Sequence, residues 1–112
     1  MIELTKSQKK IARELIDLGI YRECKSFGMK IAQFTNSSDW ETKPHELYLK
    51  LYKKVASFDK HLGSRYNDMS GSRYFITVLG LFQNGIITEN DIARFDDEVR
   101  NRLLNLKTFF EE

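Results

Sequence analysis

Tyr74-Phe75-Ile76-Thr77-Val78-Leu79-Gly80-Leu81-Phe82-Gln83-Asn84-Gly85-Ile86-Ile87-Thr88 contains no charged side chain, in a chain where 30% of residues are charged. Read as a helix over about Ser72 to Asn84, the run is apolar on nearly every side, and such a helix requires neighbours all round it. The other helical segments each carry one apolar stripe and supply those neighbours. The expected fold is therefore all-α, a compact bundle of about five helices around that central helix, with residues 1–112 forming one domain.

Outward from this run, the sequence punctuates itself. Upstream, Thr5 suits an N-cap with Gln8 reaching back to it, and Leu4, Ile11, Leu15 and Leu18 then share a face. Gly19 suits the left-handed residue that ends a helix, and Ile20 after it folds back on Leu15, so a sharp turn is expected there. A second helix over Tyr21 to about Phe34 places Cys24, Phe27, Ile31 and Phe34 on one side. The polar stretch Thr35-Asn36-Ser37-Ser38-Asp39 favours a loop, because such side chains bond their own backbone.

A third helix is expected from Lys43-Pro44 to Leu62, with Gly63 as its stop. Its apolar side holds Leu51, Val55, Phe58 and Leu62, flanked by Leu47 and Tyr48, with Lys43, Lys50, Lys54 and His61 read as lying opposite. Asn84-Gly85 closes the central helix, and Ile86 and Ile87 tuck into the core. Thr88-Glu89-Asn90-Asp91 opens a last helix with a capping box in which Asp stands where Glu is usual. Along it Ile92, Phe95, Val99, Leu103, Leu106 and Phe110 step by three and four, and Asp96–Arg100 and Glu98–Arg102 pairs are expected.

The net charge of +2 is too near balance to imply a polyanionic partner by itself. Cys24 is the single cysteine, so an internal disulfide and a cysteine-based zinc site are both excluded. The N-terminus lacks the basic and apolar regions of a signal peptide, and the uncharged run is shorter than the roughly 20 residues that span a bilayer. A cytoplasmic protein without membrane attachment or cofactor is expected.

Catalytic constellations are sparse. His45 and His61 on one helix lie roughly 24 Å apart along its axis and cannot share a metal or acid–base site. Cys24 on an apolar face reads as a small hydrophobe. The adjacent carboxylates Asp96-Asp97-Glu98 splay apart on a helix. No phosphate loop, GxSxG or HExxH motif occurs, and no segment carries a motif specific to a known family. The expectation is a non-enzymatic module. The remote alternative, a small enzyme, requires Cys24, a histidine or two arginines to meet in a pocket.

Three features suggest binding. Gly63-Ser64-Arg65-Tyr66 recurs as Gly71-Ser72-Arg73-Tyr74, and Arg65, Tyr66, Arg73 and Tyr74 form a candidate anion or peptide site, since guanidinium groups grip anions in a fork. The plainer account has Gly63 ending one helix, Ser70 or Ser72 capping the next, and both tyrosines packing. Lys43, Lys50, Lys54 and His61 form a candidate basic stripe, edged by Lys53 and Lys60 and extended by Lys6, Lys9, Lys10 and Arg13, though Glu46, Glu14 and Asp17 interrupt it. That stripe supports nucleic-acid or anion binding as the alternative function. Trp40 beside a polar loop is a candidate interface anchor, as are Phe109 and Phe110. The favoured expectation is a helical module that binds another protein or a second copy of itself, with a symmetric dimer through the last helix as one form.

Overall fold

Residues 2–67, 69–71 and 73–111 are described by a computed structural model. Ser72, expected to open and cap the central helix, lies outside them. Among the described residues the chain is all-α, with five helices and no strand: α1 (Lys6–Ser37), α2 (Pro44–Tyr66), α3 (Arg73–Gln83), α4 (Glu89–Ile92) and α5 (Asp97–Glu111). The class is as the sequence implies, but the divisions fall elsewhere.

The turn expected at Gly19 does not form. Gly19 is a buried residue inside α1, which runs through it without a break. Glycine permits a helix stop but does not impose one, and burying this face offsets its cost. The polar stretch after Phe34 also stays helical as far as Ser37. Thr35 donates to the Ala32 carbonyl at 3.0 Å, Ser37 to Gln33 at 2.8 Å and Ser38 to Phe34 at 2.6 Å, so the hydroxyls bond back one turn instead of unwinding the chain.

The described residues divide into two compact units, residues 1–22 with 68–112 and residues 23–67. In the first, α3 is the buried element. Phe75, Val78, Leu81 and Phe82 are buried with Ala12, Leu15 and Ile16 of α1, Ile87, Ile92 and Phe95, and Val99 and Leu103 of α5. Each large side chain so buried contributes about 1.5–3 kcal/mol. Gly85 ends α3 at φ 72°, with Ile86 N–H bonded to the Leu81 carbonyl at 2.9 Å and Gly85 N–H to Phe82 at 3.2 Å. This is a Schellman motif at the expected place.

Both expected capping boxes are present. Thr5 N–H donates to Gln8 Oε1 at 2.7 Å and Gln8 N–H to Thr5 Oγ1 at 3.2 Å. Thr88 N–H donates to Asp91 Oδ2 at 2.7 Å and Asp91 N–H to Thr88 Oγ1 at 3.3 Å. The single last helix, however, is two. After Ile92 the chain turns, and Asp96 starts α5 by accepting from Val99 N–H at 3.1 Å. Asp96 also takes the Gln8 amide at 2.6 Å, so Arg100 pairs with Asp97 at 2.6 Å instead of with Asp96.

The second unit is a helical hairpin of the later part of α1 and of α2. Phe27 and Phe58 stack with centroids 4.1 Å apart and planes 2° from parallel. Trp40 closes the turn, its indole N–H on the Thr35 carbonyl at 2.9 Å and its ring edge-to-face with Phe34 at 6.4 Å. The helix does not stop at Gly63. It continues to Tyr66, because the residues of that last turn have partners on α1.

Candidate functional site

Of the four repeat residues, Arg65 and Tyr66 lie in the hairpin. Tyr66 OH donates to Glu23 Oε2 at 2.5 Å, while Arg65 Nη1 at 3.0 Å and His61 Nε2 at 2.9 Å reach Glu23 Oε1. The Glu23 side chain is 9% exposed. Burial by itself pushes its carboxyl upward, but the Tyr66 and His61 hydrogen bonds and the Arg65 charge outweigh it and leave the pKa below the usual carboxylate value. The Tyr66 phenol is pushed well above its own, by burial first and then by the carboxylate it bonds. These groups satisfy one another, which makes the cluster a clasp between α1 and α2. The sequence reading passed over Glu23, although it stands one turn before Phe27 on the packed face.

The second repeat copy has different partners. Tyr74 OH accepts from Arg13 Nε at 3.1 Å, and the Arg13 guanidinium lies 5.2 Å from the Tyr74 ring centre. Arg73 opens α3, and its Nε is buried with no hydrogen-bond partner among the described residues.

The basic stripe is not a free face opposite the apolar one. Lys54 Nζ sits 5.0 Å from the Phe34 ring centre and His61 is held by Glu23, so both belong to the packed side of the hairpin. Lys50 pairs with Glu46 at 3.8 Å, and Lys43 is exposed ahead of α2. Three and four residue steps from Leu47 carry Lys54 and His61 beside Leu51 and Phe58, about 40–80° from them and not 180°. Tyr48 and Val55 conversely leave the core side and are exposed. Cys24, read as apolar-facing, is exposed as well. Trp40 is half-buried against Phe34 and serves the turn.

A groove in the first unit was not foreseen. It is a cavity of about 300 Å³ lined by Phe75, Ile76 and Leu79 of α3, Arg102, Leu106 and Phe110 of α5, and Ile2. Phe110 is 63% exposed at its rim, with Phe109 edge-to-face against it at 5.2 Å, and Ile76 is 39% exposed. Arg102 makes no ion pair with another described residue, including Glu98, its expected partner. The signal available in the sequence was the all-round apolarity of α3, which leaves an outward side chain such as Ile76 with nothing to cover it.

No family model, curated protein or solved structure matches this chain. The chemistry of the groove must speak for itself. Its wall is hydrocarbon and aromatic, with one guanidinium, that of Arg102, a group whose planar fork matches the geometry of a carboxylate. Among the described residues no three of His, Cys, Asp and Glu converge where a metal ion would sit, and no helix is long and apolar enough to cross a membrane.

Proposed function

We propose that this chain is a non-enzymatic helical module that binds another protein, and that the groove between α3 and α5 receives an apolar segment of that protein. The observation carrying this reading is an apolar concavity rimmed by exposed Phe110 and Ile76 and containing Arg102, which has no ion pair with another described residue. Exposed aromatic side chains around a concave apolar floor are what a helix-in-groove contact uses, with anchors at steps of three and four. Arg102 selects a segment that also carries an Asp or Glu, through a charge-assisted pair.

Nucleic-acid binding gains less from the geometry of α2, where two members of the basic stripe are engaged by Phe34 and Glu23. Selection from a random peptide library on the immobilised protein tests the reading. Enriched peptides are expected to share two or three apolar anchors and an acidic residue, and to lose binding at least tenfold to Leu106→Glu. Enrichment of unrelated peptides, or of peptides indifferent to that substitution, contradicts it.

A further inference from the structure

Two cavities of the first unit share a wall. The groove of about 300 Å³ between α3 and α5 and a smaller cavity of about 110 Å³, lined also by Leu4, Lys9 and Gly71, have Phe75 and Ile2 in common. Phe75 is 3% exposed and fixed within α3, whereas Ile2 belongs to residues 2–4, which lead into α1 without regular structure. Residues 2–4 make no hydrogen bond or ion pair with another described residue. Side-chain contact alone holds them, with Ile2 and Leu4 half-buried and Glu3 exposed. The chain becomes fixed at Thr5, where the capping box with Gln8 begins α1.

We infer that residues 2–4 are a displaceable strap, and that Ile2 occupies one end of the groove as an internal stand-in for a partner's apolar anchor. The inference rests on the α3/α5 groove being the binding site. Ile2-Glu3-Leu4 has the composition proposed for the partner's segment, apolar residues with an acid among them. It supplies only half of that chemistry. Glu3 lines the smaller cavity, and Arg102, which lines the groove, has no ion pair with it or with any other described residue. An incoming segment that carries both apolar anchors and a carboxylate thus offers the site a contact that the strap does not.

Moving Ile2 aside re-exposes a half-buried aliphatic side chain, and a partner's apolar anchor covers the same wall in its place. No hydrogen bond to another described residue is broken, so the resistance is that of side-chain contact alone. With Ile2 gone from the shared wall, the groove and the smaller cavity open into each other along Phe75, and a longer segment can lie along them. The apparent affinity of any occupant is lowered according to the fraction of molecules in which the strap is in place, by about three- to tenfold for one half-buried aliphatic. The strap therefore sets a threshold, because an apolar segment without an acid displaces Ile2 with no ion pair to offset the loss.

NMR of the full chain with methyl-labelled isoleucine, titrated with anilinonaphthalene sulfonate, provides the test. This probe joins an apolar ring surface to an anionic group that a guanidinium can meet. In the free protein the Ile2 methyl groups are expected to show nuclear Overhauser contacts with the Phe75 ring, and to lose them at saturation. Ile2→Ser is expected to tighten probe binding by about three- to tenfold, and Leu106→Glu to weaken it by about tenfold or more. Absence of the Ile2–Phe75 contacts in the free protein, their persistence at saturation, or an Ile2→Ser protein that binds no more tightly than wild type overturns the strap. Where Leu106→Glu still weakens binding, the groove stands without it. Probe binding that is absent or indifferent to Leu106→Glu instead overturns the groove reading, and the strap with it.

Discussion

Glu23 and Tyr66 are joined by a 2.5 Å hydrogen bond from the phenol to the carboxylate, and the other carboxylate oxygen takes Arg65 and His61. One acidic side chain of α1 thereby holds the last two turns of α2, which explains why that helix runs past Gly63.

Removing the acid leaves a phenol and a guanidinium part-buried without the group they were arranged around. Glu23→Ala is expected to destabilise the hairpin by about 2 kcal/mol, and Tyr66→Phe by about 1 kcal/mol, since it deletes one bond and leaves the carboxylate its cationic partners. Trp40 is the only tryptophan and lies in this hairpin, so urea unfolding followed by its fluorescence measures both effects. Equal losses from the two substitutions contradict the clasp as described.

The same carboxylate sets a pH dependence. Burial raises the Glu23 pKa but the Tyr66, His61 and Arg65 contacts lower it further, so the net shift is downward. A group whose folded pKa is depressed contributes stability that is present above its unfolded value and is lost as pH falls through the folded one. Hairpin stability read from Trp40 is thus expected to decline as pH drops below about 4.5 toward the folded pKa, and Glu23→Gln is expected to flatten part of that decline. Asp91 is shifted the same way, through its bond to Arg22 first, and adds a parallel loss in the other unit.

Two glycines are expected to respond with opposite signs. Gly28 lies mid-helix with open space where a Cβ would go, so Gly28→Ala is expected to stabilise by about 0.5–1 kcal/mol. Gly85 also has open space but sits at φ 72°, so Gly85→Ala is expected to destabilise by about 1–2 kcal/mol through the backbone alone. Trp40 fluorescence reports the first and hydrogen exchange across α3 the second. Loss of stability in Gly28→Ala contradicts the open exposure of that face.

The features that depend on a few adjacent residues were legible in the sequence: the α3 run, its Gly85 ending and both capping boxes. Features decided by partners far along the chain were not. Gly19 stays helical because its face is buried, and Asp96 opens a new helix while holding Gln8. The break before α5 was hidden because Phe95 N–H bonds the Ile92 carbonyl at 3.0 Å, a three-residue turn that preserves the step of the apolar stripe. Reading charge and hydropathy separately concealed Glu23 on the packed face, and it placed Lys54 and His61 opposite a core they border. Arg102 was assigned to Glu98 by spacing, and its place in the groove emerges only when α3 and α5 are brought together.

The most direct test of the binding reading is photo-crosslinking in cells from a benzophenone amino acid at Phe110, with and without Arg102→Glu, followed by identification of the linked peptide. The expected result is one recurrent segment of another protein with apolar anchors and an adjacent Asp or Glu, insensitive to nuclease and at least tenfold depleted by Arg102→Glu. A scatter of unrelated peptides, or a single segment captured equally well by the Arg102→Glu protein, contradicts the groove as the site.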